Sequence, residues 1–229
     1  MIFLSFKKSF PGITIEGVFE FIKGFNIILG PSGCGKTTTL RVMCGLEKPE
    51  EGFMKCCEEV FFDTEKGIFL PPQKRQLGVV FQQHNLFPHM TVKENIEFAL
   101  KKTQNPQFTV KELLERFNLK GYENKYPHEL SDGQRQRVAI IRALVYNPRA
   151  VLMDEPFSSL DFKTKIEVME FVKSVQFGKP VVIITHDPFE ALYLGEKFFL
   201  MHNGKKIDEG GKEIVKEYID LKKIRNLLS

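Results

Sequence analysis

The stretch 27–40, IILGPSGCGKTTTL, constrains the fold of this chain more than any other segment. Apolar residues run into a cluster of small ones, and a lysine and three threonines follow. Glycine adopts backbone conformations that other residues avoid, so the cluster predicts a tight turn. The residues after it, KTTTLRVMCGL, predict a helix that ends near Gly45. A buried strand, a tight turn and a helix in this order are typical of a sheet covered by helices.

The same turn contains the pattern Gly-x-x-x-x-Gly-Lys-Thr, the P-loop pattern. Close backbone N–H groups and the positive end of the following helix suit an anion. In this pattern the lysine contacts the outer phosphates of a nucleotide and the threonine hydroxyl binds Mg²⁺. A chance match in an ordinary turn is the alternative. The predicted nucleotide contacts are Gly30, Pro31, Ser32, Gly33, Cys34, Gly35, Lys36, Thr37 and Thr38.

Two carboxylates follow a second apolar strand, AVLMD, in which Asp154 is the last residue and Glu155 comes next. Ligands of open parallel sheets bind at the carboxyl ends of strands, which is also where the P-loop lies. Asp154 is therefore a candidate Mg²⁺ ligand together with Thr37. Glu155 is a candidate for polarising a water that attacks the γ-phosphate. An exposed acidic strand end is the alternative.

The order of segments predicts an α/β protein of the P-loop NTPase class, with a mostly parallel sheet and helices on both of its faces. The segments IFLSFKKSF and ITIEGVFEF, separated by PG, predict an N-terminal antiparallel β part. We predict one domain over 1–229. Its core is formed by 1–82 and 142–229, and an inserted helical part by 83–141.

Composition bears on partners and location. The net charge of +4, from 33 basic and 29 acidic residues, is too small to indicate a nucleic-acid partner. No cysteine pair has metal-binding spacing, so we expect reduced thiols in a cytoplasmic protein. The opening MIFLSFKKSF carries charges where a signal peptide is apolar. The longest apolar runs are far shorter than the roughly 20 residues of a membrane helix.

The segment LSDGQ, 130–134, resembles the LSGGQ signature of ABC-transporter ATPases and lies just before VLMDEP, as it does in that family. Taken alone, Ser131 and Gln134 form a capping box at the start of a helix, and both interpretations can hold. Further family marks follow the expected order: Gln82 in VVFQQ, the segment 158–161 (SSLD), and His186 in IITHD. The chain is identified as a member of this family over essentially its whole length.

The resemblance implies ATP and Mg²⁺ as cofactors and Glu155, His186 and Gln82 as catalytic residues, with Gln82 also close to the metal. His186 could instead be a loop residue before a helix that has Pro188 in its first turn. Phe10 is similar to the aromatic residue that stacks on adenine. Because the chain has 22 phenylalanines, a core or surface role for Phe10 is the alternative.

The family also implies a second copy of the chain, packed head to tail. Each ATP then lies between the P-loop of one copy and the signature of the other. Ser131, Gly133 and Gln134 would contact the γ-phosphate held by the partner, and Asp161 would lie at the same interface. Asp132 departs from the usual glycine, and its carboxylate would repel a phosphate unless it points away or faces a cation.

The segment near 82–96 predicts a docking region for an integral-membrane permease subunit. Leu86, Phe87 and Met90 offer exposed apolar groups after Gln82; an ordinary core segment is the alternative. Such a subunit would place the protein on the inner face of the cell membrane and link it indirectly to a substrate-binding protein.

The transported substrate is suggested by the run D-x-E-K-G-I-x-L-x-P-x-K-R at 63–75, which resembles molybdate/tungstate importer ATPases. Sulfate and sugar importers share the FQ and LFPH parts, so another substrate stays open. A soluble, non-transport ABC ATPase is a further alternative, but such proteins usually have two cassettes or a long coiled-coil insertion. The end at Ser229 predicts that a C-terminal regulatory domain is absent.

Overall fold

The computed structural model describes residues 1–83, 85–103, 107–175 and 178–228, with side chains up to residue 220. The strands are β1 (Ile2–Phe10), β2 (Ile13–Phe21), β3 (Gly24–Leu29), β4 (Glu51–Cys56), β5 (Glu59–Asp63), β6 (Ile68–Phe69), β7 (Leu77–Val80), β8 (Ala150–Asp154), β9 (Pro180–Ile184), β10 (Lys197–His202) and β11 (Lys205–Gly210). The helices are α1 (Lys36–Cys44), α2 (Val92–Leu100), α3 (Val110–Arg116), α4 (Asp132–Val145), α5 (Phe162–Ser174), α6 (Pro188–Leu194) and α7 (Glu213–Leu228). Two short 3₁₀ helices lie at Pro72–Lys74 and Pro127–Glu129.

The strands form one mixed sheet, in the order β6-β5-β4-β1-β2-β11-β10-β3-β9-β8-β7. Strands β10, β3, β9, β8 and β7 run parallel, which confirms the predicted α/β core. Strands β1, β2, β4, β5 and β6 pair antiparallel and form the predicted N-terminal β part. Strand β11 joins the halves, since it pairs antiparallel with β10 and parallel with β2.

Both faces of the parallel strands are buried. Successive side chains of a strand point to opposite faces of the sheet, so neighbouring residues join different apolar clusters. On β3, Ile27 and Leu29 join one apolar cluster and Ile28 joins the other. Apolar side chains of α2 to α7 cover the first face. The second face is covered by α1 and by the antiparallel strands, so the prediction of helices on both faces holds there for one helix only.

Helix α1 differs from its neighbours at the N-terminus. Each of helices α2 to α6 begins with a side chain that accepts a hydrogen bond from a backbone N–H of the first turn. Helix α1 begins after Gly35, which has no side chain to do so. The first N–H groups of α1 are therefore the ones left for an anion.

Two details differ from the prediction. Strand β4 was not foreseen, because Gly52 and the polar residues beside it weaken the alternation of EGFMKC. Helix α4 continues to Val145 and so crosses the boundary expected at 141. The division into a core and a helical part stays a prediction. Among the described residues, no helix is long and apolar enough to cross a membrane.

Candidate nucleotide and catalytic site

The glycine-rich turn after β3 accepts only glycine at its first and last glycine positions. Gly30 has φ 158°, and a Cβ added there would lie 2.3 Å from the carbonyl oxygen of Met201 on β10. Gly35 has φ 103°, and its Cβ would lie 2.8 Å from the Ile15 side chain on β2. The turn is thus packed between the backbone of β10 and the Ile15 side chain of β2.

Lys36 lies inside the curve of this turn. It is 6% exposed, and its Nζ donates to the carbonyl oxygens of Gly30 at 2.8 Å and Pro31 at 2.9 Å. The thiol of Cys34 is buried in the apolar cluster behind the turn, and burial raises its pKa. The ammonium of Lys36 is therefore held within the turn by backbone carbonyls.

A cleft of about 580 Å³ opens in front of the turn. Its lining joins the turn, the first hairpin and the ends of the parallel strands, which lie far apart along the chain. All the lining residues except Ile13 and Ile15 were predicted from the sequence. The lining consists of Phe10, Ile13, Ile15, Ser32, Gly33, Gly35, Lys36, Thr37, Thr38, Gln82, Glu155 and His186.

Asp154 lies beneath the cleft, 4% exposed, at the end of β8. Burial raises its pKa, and a hydrogen bond from the Thr37 side chain opposes that effect only in part. Burial thus disfavours the charge of this carboxylate, and a cation nearby would stabilise it.

The residues present fit Mg²⁺, which prefers hard oxygen ligands and keeps places for water and phosphate oxygens. Thr37, Asp154 and Gln82 supply a hydroxyl, a carboxylate and an amide oxygen. Within the described ranges, no group of three or more His, Cys, Asp or Glu could hold a metal.

Glu155 turns out of the sheet directly after β8. Its φ of 47° is unusual for a residue with a side chain and costs roughly 1–3 kcal/mol, a strain that tends to occur at functional sites. The backbone N–H of Glu155 donates to the carbonyl of Ile184 on β9 at 2.9 Å. Its Oε1 lies 3.0 Å from Nδ1 of His186. Two side chains predicted as catalytic thus meet in the cleft.

The signature residues lie elsewhere. Ser131, Gly133 and Gln134 do not belong to the lining of this cleft. Ser131 and Gln134 form the predicted capping box at the start of α4, with N–H to side-chain distances of 2.8 and 3.2 Å. A Cβ on Gly133 would lie 3.0 Å from the carbonyl oxygen of Ser159, so the start of α4 packs on the segment 158–161.

Asp161 ends that segment and caps α5, since its carboxylate accepts from the backbone N–H of Thr164 at 3.0 Å. Asp132 faces a cation: its Oδ1 is 2.5 Å from Nη2 of Arg135. Arg135 also donates to the carbonyl of Leu130 at 2.6 Å. The repulsion expected of Asp132 toward a phosphate is therefore offset within the same helix turn.

The segment near 82–96 is less exposed than predicted. Leu86, Phe87 and Met90 are half-buried rather than exposed, which corrects that expectation. The side-chain amide of Asn95 bonds both the N–H and the carbonyl of Phe87, at 2.9 and 3.2 Å, and so turns the segment inward. His84 lies outside the described residues.

The comparisons with known proteins agree with this geometry. Residues 24–158 match the family model described as ABC transporter, and the chain belongs to that family. Its cassette fold is shared with the ATP-binding cassette MJ0796, solved as a dimer in a post-hydrolysis state bound to ADP and Pi. The two are 31% identical with a TM-score of 0.76, over 93% of this chain and 99% of that one.

Similar curated proteins are named as import ATP-binding proteins. The trehalose/maltose import protein of Thermococcus litoralis is 45% identical, covering 79% of this chain and 50% of that protein. The molybdenum import protein of Pseudomonas syringae pv. tomato is 41% identical, covering 82% and 53%. The spermidine/putrescine import protein of Spiroplasma citri is 40% identical, covering 86% and 57%. The chain thus spans about half the length of these relatives.

Proposed function

We propose that the chain is the ATP-hydrolysing subunit that powers an ABC importer. The contact between Glu155 and His186, in the cleft that the glycine-rich turn and Lys36 also line, carries this proposal. A carboxylate and an imidazole thus lie in the cleft beside the glycine-rich turn. The family and the import names of the relatives support the same function.

Each residue has a distinct part in this proposal. Lys36 and the N–H groups at the start of α1 bind the phosphates of ATP. Thr37, Asp154 and Gln82 would hold Mg²⁺, which neutralises phosphate charge when it is bound. Glu155 orients and polarises the attacking water, and His186 fixes Glu155 and contacts the γ-phosphate.

The experiment is Mg²⁺-dependent release of phosphate from ATP by the purified chain, with Lys36→Ala as the inactive control. Absence of Mg²⁺-dependent phosphate release by the native chain would contradict the proposal.

The variant Phe10→Ala tests whether the adenine of ATP binds at the Phe10 ring. The ring is 37% exposed at the cleft, and Nζ of Lys8 lies 5.6 Å from its centroid. Stacking of a base on an aromatic ring contributes about 1–3 kcal/mol, so Phe10→Ala should raise the KM for ATP roughly tenfold while kcat stays near native. Phe53→Ala, a half-buried ring on β4, is the control. An unchanged KM would give Phe10 a merely structural role.

We further propose that the active unit is a head-to-tail dimer. The lining of the cleft in one copy does not include Ser131, Gly133 or Gln134, which lie at the start of α4. A second copy would supply them to the γ-phosphate. The dimeric state of the solved cassettes supports this arrangement.

A membrane permease is the proposed docking partner, and it would hold the protein at the inner face of the membrane. A groove of about 380 Å³ lies beside the segment 82–96. Apolar and aromatic side chains of several elements line it, including Leu77, Phe81, Phe87, Phe98 and Tyr146. Such a lining suits an apolar helix of another protein.

Phe87→Ala tests this docking. The ring packs edge-on against Phe98 at 4.8 Å, and the Arg142 guanidinium lies 4.8 Å from its centroid. Since Phe87 does not line the nucleotide cleft, the ATPase of the isolated chain should stay near native. Docking to the permease should weaken by about 2 kcal/mol, as for an aromatic interface anchor. Co-purification with the membrane subunit measures this, against Phe53→Ala. Collapse of the isolated ATPase with intact docking would make Phe87 a core residue.

Molybdate or tungstate is the proposed cargo, from the run 63–75; sugars and polyamines are the alternatives named for the relatives. Within this run Asp63 accepts from the N–H groups of Glu65 and Lys66, and Arg75 is buried. Asp63 therefore shapes a turn, and Arg75 bonds carbonyls at the end of α1. Purification of the complex from native membranes, with identification of its permease and binding protein, decides among the substrates.

A further inference from the structure

The loop that carries His186 is held by buried polar groups on both sides. Thr185 precedes His186 and is buried. Its hydroxyl donates to Oε2 of Glu190 on α6 at 2.6 Å, and its Oγ1 accepts from the backbone N–H of Asp187 at 3.1 Å. The loop therefore folds back onto the first turn of α6.

Lys165 on α5 completes this network. Its Nζ lies 2.6 Å from Oε1 of Glu190 and 3.1 Å from Oδ2 of Asp187. Only 4% of the Glu190 side chain and 15% of the Lys165 side chain are exposed. Burial lowers the pKa of Lys165, but the bonds and charges of Glu190 and Asp187 outweigh it, and the net pKa is raised. Glu190 is buried, and a buried charge is unfavourable without its partner.

A third helix contacts the same loop. The hydroxyl of Tyr218 on α7, itself buried, donates to the carbonyl oxygen of His186 at 3.2 Å. The backbone of His186 is therefore fixed from α5, α6 and α7. The imidazole itself meets Glu155. Small shifts of this loop would change that contact.

Lys165 also stands close to the segment 158–161. It lies in the first turn of α5, and its backbone N–H donates to the carbonyl of Asp161, the residue that caps this helix, at 2.8 Å. A displacement of the segment would carry Lys165 with it. The ion pair then passes that displacement to the loop of His186.

We propose that Lys165 and Glu190 are positioning residues that hold His186 against Glu155 and link it to the segment 158–161. Neither side chain lines the cleft. The inference rests on the proposed ATPase activity for its effect on turnover, but the position of His186 can be measured without it.

The experiment compares Lys165→Met, Glu190→Gln and Lys165→Arg with the native chain. Misplacement of a reacting group by about 1 Å can cost 10²-fold, so kcat should fall about 10- to 100-fold in the first two variants. The KM for ATP should stay native, and Lys165→Arg, which keeps the charge, should retain most of the kcat. The imidazole NMR signal of His186, assigned by its loss in His186→Gln, should shift in the first two variants while other histidine signals stay in place.

The matched control is Lys173→Met. Lys173 also joins α5 to α6, but at the far end of both helices, where its Nζ donates to the carbonyl of Tyr193 at 3.4 Å. It should leave both kcat and the His186 signal native. An unmoved His186 signal in folded Lys165→Met and Glu190→Gln overturns the inference, as does native kcat in both. If Lys165→Met does not fold, Glu190→Gln, which keeps the shape and the Thr185 contact, decides. Absence of ATPase in the native chain refutes the proposed function, and the NMR signal then tests the positioning alone.

Discussion

Glu155→Gln should lower ATP turnover by 10² or more while ATP binding stays near native. A positioned general base contributes roughly 10²–10⁴ in rate, and the amide cannot take up the proton of the attacking water. Binding should persist because Lys36, Thr37 and Asp154, which contact phosphate and metal in this proposal, are unchanged. The measurements are phosphate release under saturating ATP and equilibrium binding of a fluorescent ATP analogue.

The control for this variant is Glu97→Gln, a half-buried carboxylate on α2 that pairs with Lys93 at 3.8 Å. It should leave turnover native. Near-native hydrolysis by Glu155→Gln would remove Glu155 from the chemistry, and His186 would then be the remaining candidate of the pair.

Arg75→Met should lower the free energy of unfolding by about 3 kcal/mol or more, because buried carbonyls lose a charged donor. Arg75 is fully buried and donates to the carbonyls of Val42 and Met43, at the end of α1, and of Leu70. Burial lowers its pKa to about 10, so it stays charged at neutral pH. Urea unfolding followed by circular dichroism measures the change.

Arg149→Met is the matched control for that measurement. The Arg149 side chain is partly exposed and pairs with Glu59 at 2.5 Å. Exposed ion pairs contribute about 0–1 kcal/mol, so this variant should unfold close to the native chain. Equal losses in the two variants would contradict the role assigned to Arg75 in fastening the end of α1.

Local features of the sequence predicted much of the fold because each has a local physical cause. The glycine-rich turn and the strand AVLMD involve neighbouring residues only, and the structure has both of them in place. The pairing of β2 with β11 depends on contacts between distant segments, and no local pattern reports it. The same holds for Ile13 and Ile15 in the cleft.

The contact between Lys165 and Glu190 could not be predicted from local sequence patterns, for a similar reason. Lys165 and Glu190 are charged residues on amphipathic helices, a pattern typical of a solvated surface. In the folded chain Glu190 is nonetheless buried, and only 15% of the Lys165 side chain is exposed. Arg75 is similar, since its place in a polar run gave no sign that it would be fully buried under α1. Ion pairs across elements are set by tertiary packing, which spacing in one segment does not encode.

The shared site is the central claim, and cysteine crosslinking tests it most directly. One chain carries Ser32→Cys and another Ser131→Cys, both with Glu155→Gln to retain ATP and with Cys34 and the exposed Cys57 replaced. When the two are mixed with ATP and a short thiol crosslinker, a product of twice the 26.5 kDa chain mass should form. The product should be absent when ATP is left out. It should also be absent when Glu58→Cys, at the turn between β4 and β5, replaces Ser131→Cys. Failure of Ser32→Cys and Ser131→Cys to join two chains that both bind ATP would contradict the account.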